Sequence, residues 1–238
     1  MTEYLYMESA EANYIKEFEA TVKGSGPGFV VLDQSAFYPL GGGQPTDKGT
    51  LEWNGKKVGV KEVRKKGGQH MLEDTNLTIP QGAKVKGVID WERRYGHMRM
   101  HTAQHIVSGI VYDKYGSRTV GNQIHADRSR IDFGIEGFSQ EDLEWIENAC
   151  NEAFAKGIPV KIYEMDRGDL EAKVGVERSN LDLIPEFIKT LRVIDIEGLD
   201  ICPCAGTHVK NTGEIGKMKI TSKKNKGSNK IRVEYVLE

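Results

Sequence analysis

Six histidines and three cysteines supply the imidazole and thiol donors of this 238-residue chain, and four of them fall into two pairs of equal interval. One pair lies in His101-Thr102-Ala103-Gln104-His105, the other in Cys204-Ala205-Gly206-Thr207-His208. Residues four apart in a helix sit one turn above each other, so His101 and His105 can aim both imidazoles at one point. The glycine inside the second pair lets the backbone fold tightly enough for Cys204 and His208 to converge. Three nitrogens and a thiolate make a tetrahedral zinc site, and that donor softness favours zinc over magnesium or calcium. A zincin protease needs a glutamate beside its first histidine, where this chain has Thr102, so that chemistry is disfavoured. Four protein ligands also fill a tetrahedral shell as structural sites do, unless one ligand yields or the shell expands, and the residues leave both readings open. Cys202 competes as a ligand but ranks below Cys204, because Pro203 fixes its direction. Cys150 reads as a small core residue on the apolar side of a helix. His70, His97 and His125 read as surface or loop histidines.

The elements that must position these residues divide near residue 90, giving 1–90 and 91–238. The first part reads as β. Phe29 to Leu32 has strand length, Leu51–Trp53 and Lys56–Val58 flank the hairpin signal Asn54-Gly55, and Val58 to Val63 and Val85 to Ile89 add further strands. Several short strands with turn signals predict a small barrel or sandwich. Within this part, Phe37-Tyr38-Pro39-Leu40-Gly41-Gly42-Gly43-Gln44-Pro45-Thr46-Asp47 reads as a loop exposing backbone N–H groups, stiffened by Pro45 and an Asp47 turn. Such a loop suits a phosphate or carbonyl ligand. It lacks the Lys-Ser/Thr ending of a nucleotide P-loop, so no ATP site is expected.

From Trp91 the period becomes helical, with Ala103, Ile106, Val107, Ile110 and Val111 as one apolar stripe and Gly116 as the stop. Ser139 caps a second helix ending near Gly157. Arg130–Phe133, Val160–Tyr163 and Leu191–Ile196 read as strands. Ile215–Ile220 and Ile231–Leu237 read as hairpin arms joined by the polar loop Ser222–Asn229. The fold class is therefore α+β, a small β-barrel domain followed by an α+β domain with an antiparallel sheet.

Composition narrows the setting. The chain is 38% apolar and 29% charged, with no run of eighteen apolar residues and no signal-peptide pattern, so a cytoplasmic protein without membrane attachment is expected. Three cysteines do not make a disulfide framework. The net charge of −2 hides a basic segment, since Lys217, Lys219, Lys223, Lys224, Lys226, Lys230 and Arg232 follow one another without an acidic residue between them.

With His-Thr-Ala-Gln-His, Cys-Pro-Cys-Ala-Gly-Thr-His-Val and Gly-Gly-Gly-Gln-Pro-Thr-Asp present in that set, the chain resembles the free-standing alanyl-tRNA editing proteins of the AlaX family, relatives of the alanyl-tRNA synthetase editing domain. The resemblance covers nearly the whole chain, through Thr212-Gly213-Glu214-Ile215-Gly216. The N-terminal glycine motif points to the medium-length class, without the long C-terminal extension of other members. It implies trans-acting hydrolysis of the ester joining serine, or glycine, to the 3′ adenosine of alanine tRNA, with no synthetase domain to charge tRNA itself. Carried over, His101, His105, Cys204 and His208 would hold one zinc ion, and the loop carrying Gly41, Gly42, Gly43, Gln44, Thr46 and Asp47 would lie near the tRNA end or the mouth of the site.

An aminoacyl ester is already activated, so such an enzyme places a water, stabilises an oxyanion and holds the substrate still. Zinc would lower the pKa of a water or orient the substrate, and the orienting role is favoured because no carboxylate stands beside the histidines. A site that hydrogen-bonds the serine hydroxyl leaves its own groups unpaired when alanine enters. Gln104 is the first candidate for that contact, with Thr102 and Thr207 behind it. Lys223, Lys224, Lys226 and Lys230 of the basic hairpin are expected to meet tRNA phosphates. A zinc-stabilised RNA-binding module without catalysis, and an editing enzyme for threonyl tRNA, are the competing expectations.

Overall fold

The computed structural model describes residues 2–179 and 181–238. The first strands are β1 (Glu3–Tyr4), β2 (Glu17–Gly26), β3 (Phe29–Leu32), β4 (Gln34–Ser35), β5 (Gly49–Trp53), β6 (Lys56–Arg64), β7 (Gln69–Leu72) and β8 (Lys84–Ile89). Six of them close into an antiparallel barrel in the order β2-β3-β7-β6-β5-β8, which removes the unpaired edges an open sheet would present. Strict alternation sends Val30 and Leu32 of β3, and His70 and Leu72 of β7, inward. The Asn54-Gly55 turn joins β5 to β6 with both residues at positive φ, as its sequence predicts.

His70 corrects an expectation. It is fully buried in the barrel, where Gly68 O accepts from Nδ1 at 3.1 Å and Nε2 lies 2.7 Å from the Ser35 hydroxyl. A carbonyl can only accept, so the proton sits on Nδ1 and Ser35 donates to Nε2. His97 is likewise buried, on the first long helix, and His125 is half-buried. Alternation and helical phase decided these positions, not residue polarity.

After the barrel come α1 (Trp91–Tyr115), β9 (Thr119–Ile124), β10 (Ser129–Phe133), α2 (Gln140–Ala155), β11 (Val160–Asp166), α3 (Arg167–Val174), α4 (Val176–Ser179), β12 (Thr190–Ile196), β13 (Asp200–Pro203), β14 (Met218–Asn225) and β15 (Ile231–Leu237). The strands form two antiparallel sheets, β14-β15-β10-β9 and β11-β12-β13. Asp90 caps α1 through a bond from Arg93 N, and Gly116 ends it in the left-handed region. A capping box of Ser139 and Asp142 starts α2. The apolar side of α1 (Ala103, Ile106, Val107, Val111) packs in one core with Ile131 and Phe133 of β10, Phe154 of α2 and Val233 of β15, and Cys150 lies in the same core. Truncating a residue such as Phe133 there would cost about 3–5 kcal/mol. The polar hairpin loop is shorter than expected. Strand β14 runs through Ser222 to Asn225, leaving a turn closed by Lys226 N and Lys230 O at 2.8 Å. Among the described residues no helix is long and apolar enough to cross a membrane.

The two parts are joined by buried polar contacts. Arg94 of α1 donates from Nε to Asp47 Oδ2 of the glycine loop at 2.8 Å, with further bonds to Asn13 O and Ala36 O, and both side chains are fully buried. Asn13 Oδ1 in turn accepts from His208 N at 2.6 Å.

Candidate metal centre

Helical phase gives α1 a second face. His101, Gln104, His105, Ser108, Gly109 and Tyr112 line a cavity of about 750 Å³ that also reaches Gly41 and Gly42 of the glycine loop, Asn122 of β9 and Cys202 to Gly206. Two glycines bring the walls together. A Cβ at Gly109 would strike Leu199 O, so its absence lets the turn into β13 rest on α1 and carries Asp200 to His105. A Cβ at Gly206 would strike the ring of His101, so this residue lets the Cys204–His208 segment close on the helix.

His101, His105, Cys204 and His208 each offer one donor atom within 4.8 Å of every other. Cys204 Sγ lies 3.3 Å from His208 Nε2 and 3.7 Å from His101 Nε2. The outward nitrogens are held. His101 Nδ1 donates to Gln44 Oε1 at 2.8 Å, and His105 Nδ1 to Asp200 Oδ2 at 2.8 Å. His208 Nδ1 lies 3.3 Å from Thr102 Oγ1, whose own proton goes to Met98 O. With every Nδ1 committed outward, the three Nε2 atoms turn inward, the arrangement that supporting acceptors impose on histidine ligands. His105 Nε2 is buried and has no hydrogen-bond partner among the described residues. Such a group is costly unless something binds it. The donor set and this orphan atom fit a bound metal ion.

Electrostatics set the members of the cluster apart. Burial pushes the Cys204 thiol up, but its contacts with the His101 and His208 rings outweigh it and hold the group well below the ordinary thiol range. Burial holds His208 well below the usual imidazole value, and lowers His101 as well. Burial works to lower His105, yet its hydrogen bond to the Asp200 carboxylate helps to raise it well above the usual imidazole value. Cys202 behaves oppositely to Cys204. Burial and the Asp200 charge push it up to about 12, and its S–H donates to Asp200 Oδ2 at 3.3 Å. It stands 3.2 Å from His105 Nδ1, outside the ring of Nε2 atoms.

Similarity to known proteins follows the two parts of the fold. Residues 191–234 match the family model described as the threonyl and alanyl tRNA synthetase second additional domain, and residues 2–93 match that of class II (A) tRNA synthetases. An alanyl-tRNA editing protein AlaX-M of Methanosarcina barkeri is 41% identical over 244 residues, covering 100% of this chain and 99% of the relative. The chain belongs to the AlaX-M family of alanyl-tRNA editing proteins. The AlaX-M protein of Saccharolobus solfataricus is 38% identical across the full length of both chains. An alanine–tRNA ligase of Korarchaeum cryptofilum is 38% identical over 98% of this chain, which matches 26% of the ligase.

Within this AlaX-M chain the predicted site residues separate. Gln104, Gly41 and Gly42 line the cavity. Gln44, Thr102 and Thr207 are buried behind the donor cluster: Gln44 Nε2 donates to Thr207 Oγ1 at 2.9 Å and its Oε1 accepts from Thr207 N at 3.1 Å. Gly43 accepts from Ile124 N at 2.9 Å, and the Thr46 hydroxyl bonds Tyr38 O and Val63 N. Asp47 faces Arg94 and Tyr38 N. These contacts brace the loop, in which Gly41 N and Gln44 N each bond the other's carbonyl while Gly42 and Gly43 are exposed. Lys223 donates to Phe138 O and Lys224 pairs with Glu234, while Lys226 and Lys230 are exposed; none of the four lines the cavity. Asp200, Asn122 and Ser108 escaped sequence reasoning. Asp200 had a faint signal, a carboxylate four residues before a ligand, but which histidine it meets depends on the β12–β13 turn.

Proposed function

We propose that the chain hydrolyses, in trans, the ester linking a wrong amino acid to alanine tRNA, with serine as the main substrate and glycine as a second. The observation that carries this reading is the convergence of Cys204 Sγ and three inward Nε2 atoms at a cavity wall, with His105 Nε2 unpartnered. Family membership supplies the substrate class, because the relatives are alanyl-tRNA editing proteins by name. His101, His105, Cys204 and His208 would hold Zn²⁺, whose soft N₃S donor set suits it. When bound, zinc supplies positive charge that orients the ester or stabilises its developing oxyanion.

The chain's own residues do the rest. Gln44, Asp200 and Thr102 fix the three imidazoles, so the cluster meets substrate without rearranging. Discrimination falls to a polar wall. Gln104 Nε2 donates to Ser108 Oγ at 3.0 Å and its Oε1 accepts from Asn122 at 3.1 Å, while Ser108 and Thr119 hydroxyls lie 2.7 Å apart. That chain locks the Gln104 amide and leaves its second N–H for a substrate hydroxyl. Serine satisfies it. Alanine leaves it unpaired, which is worth about 1–3 kcal/mol against the correct product, and glycine, which lacks the hydroxyl too, is cleaved more slowly than serine.

The test is deacylation of alanine tRNA charged separately with serine, glycine and alanine, beside Cys204→Ala. Rapid loss of the seryl ester, slow loss of the alanyl ester and an inactive, folded variant are expected. A zinc-loaded protein that leaves seryl-tRNA intact, or cleaves alanyl-tRNA equally fast, overturns the reading.

A further inference from the structure

We propose that the β6–β7 turn, Arg64 to Lys66, grips the phosphates of the unpaired 3′ RNA strand whose charged end occupies the cavity. This rests on the editing reading and names how that substrate's backbone is held.

The cavity is longer than an aminoacyl group requires. Its α1 wall runs from His101 to Tyr112, three helical turns or roughly 16 Å, so the part beyond the donor cluster has room for the nucleotides that precede the ester. Two hydroxyls of the cavity wall, Tyr4 OH and Ser117 Oγ, are buried with no hydrogen-bond partner among the described residues. Polar ligand atoms such as ribose hydroxyls or base edges would satisfy them.

Three cations line the cavity, and their states differ. Arg118 pairs with Asp182 at 2.6 Å and Arg178 pairs with Asp113, whereas Lys65 makes no ion pair among the described residues. Lys66 is exposed beside it, and the Arg64–Glu62 pair is exposed enough to be worth little, so the turn presents positive charge to solvent at the cavity edge. It is also held in place. Leu40 N bonds Val63 O at 3.1 Å on one side, tying the turn to the glycine loop, and the buried His70 takes Gly68 O on the other. A fixed cationic turn beside a cavity long enough for an extended strand is the electrostatic match for single-stranded RNA.

The experiment uses the full zinc-loaded chain with Lys65→Ala/Lys66→Ala. Binding of a fluorescent single-stranded RNA carrying the tRNA 3′ sequence is measured against salt. Losing two phosphate contacts should weaken binding severalfold at low salt and reduce the slope of log affinity against log salt by roughly 1.4. Deacylation is then compared on full-length seryl-tRNA and on seryl adenosine, which has no phosphate, and the loss should be severalfold larger on the tRNA. Equal losses on both substrates, or an unchanged salt slope in a variant that melts like the parent, overturn the proposal. So does a Lys226→Ala/Lys230→Ala variant that takes the whole slope change. If neither ester is cleaved by the parent, the editing reading has failed while the salt slope still reports on the turn.

Discussion

His70 and His105 are both buried imidazoles, one in the barrel and one on α1, yet they have opposite hydrogen-bonding states. Both nitrogens of His70 are used, by Gly68 and Ser35. His105 is anchored at Nδ1 by Asp200, and its Nε2 faces three other donors without a hydrogen-bond partner among the described residues. Burial alone therefore says little about function. A satisfied buried imidazole is a structural pin, and a buried nitrogen left bare among convergent donors at a cavity is a site. The two cysteines Cys150 and Cys204 repeat the contrast. Burial raises the Cys150 thiol within the apolar core, whereas the neighbouring imidazoles hold Cys204 low. The largest expected effect tests this directly. Cys204→Ala should lower kcat/KM for seryl-tRNA by at least about a thousandfold, roughly 4 kcal/mol of transition-state stabilisation, and strip the metal. Cys150→Ala should retain metal and activity while melting earlier. Comparable activity in both variants breaks the distinction.

A satisfied pair can still be expensive to disturb. Arg94 and Asp47 are fully buried, and Arg94→Ala would leave the Asp47 carboxylate without its cation. The expected cost is about 3–5 kcal/mol in urea unfolding at neutral pH. Because Asp47 belongs to the glycine loop, the loss should appear in the barrel and in the donor cluster together. A cost under 1 kcal/mol would mean that the loop is held by its other bonds, those of Thr46 and Gln44.

The pH dependence of stability tests the structural pin. Burial holds His70 down to about 4, against an ordinary value near 6.5. Above pH 6.5 the folded and unfolded chains both carry it neutral, and its share of stability is intact. As pH falls from 6.5 to 4 the unfolded chain takes up the proton and the folded chain does not, so about 3 kcal/mol is lost. His97, held down to about 3 by burial and by Arg93, acts in the same direction. Replacing His70 with Gln should flatten part of the slope in urea midpoints over that window, leaving the part due to His97, His101 and His208. A slope unchanged by the substitution would show that His70 titrates normally and is not the pin described.

What could be read from residues alone follows from range. The Asn54-Gly55 hairpin, the α1 helix with its Gly116 stop and the Ser139 cap depend on neighbours a few positions away, and each was legible. The His101/His105 and Cys204/His208 intervals are also local, and the two pairs do converge. The partners of those ligands are not local. Gln44 lies 57 residues from His101 and Asp200 lies 95 from His105, distances at which register and a glycine-permitted approach decide the contact. His70 shows the same failure inside the barrel, where a polar residue at an inward strand position looked like surface until its partners Ser35 and Gly68 were in view.

Gln44 gives the smallest effect and the sharpest version of the comparison, because it is a fully buried, satisfied side chain whose bonds serve the site. Its Oε1 takes both His101 Nδ1 and Thr207 N, and its Nε2 reaches Thr207 Oγ1, so one amide links the barrel loop to both ligand segments. If it positions His101, Gln44→Ala should weaken metal binding about 10–100-fold, the range for losing a supporting partner of a ligand histidine. Chelator competition reads that loss directly. At saturating zinc, deacylation should recover most of its parental rate, since no contact to the substrate has been removed. If Gln44 instead touched the substrate, metal affinity would hold and KM would rise, which places the glycine loop back among the binding residues. Gln44→Glu divides the cases further. A carboxylate can still accept from His101 Nδ1 but cannot donate to Thr207, so metal affinity should return toward the parent while thermal stability stays lower.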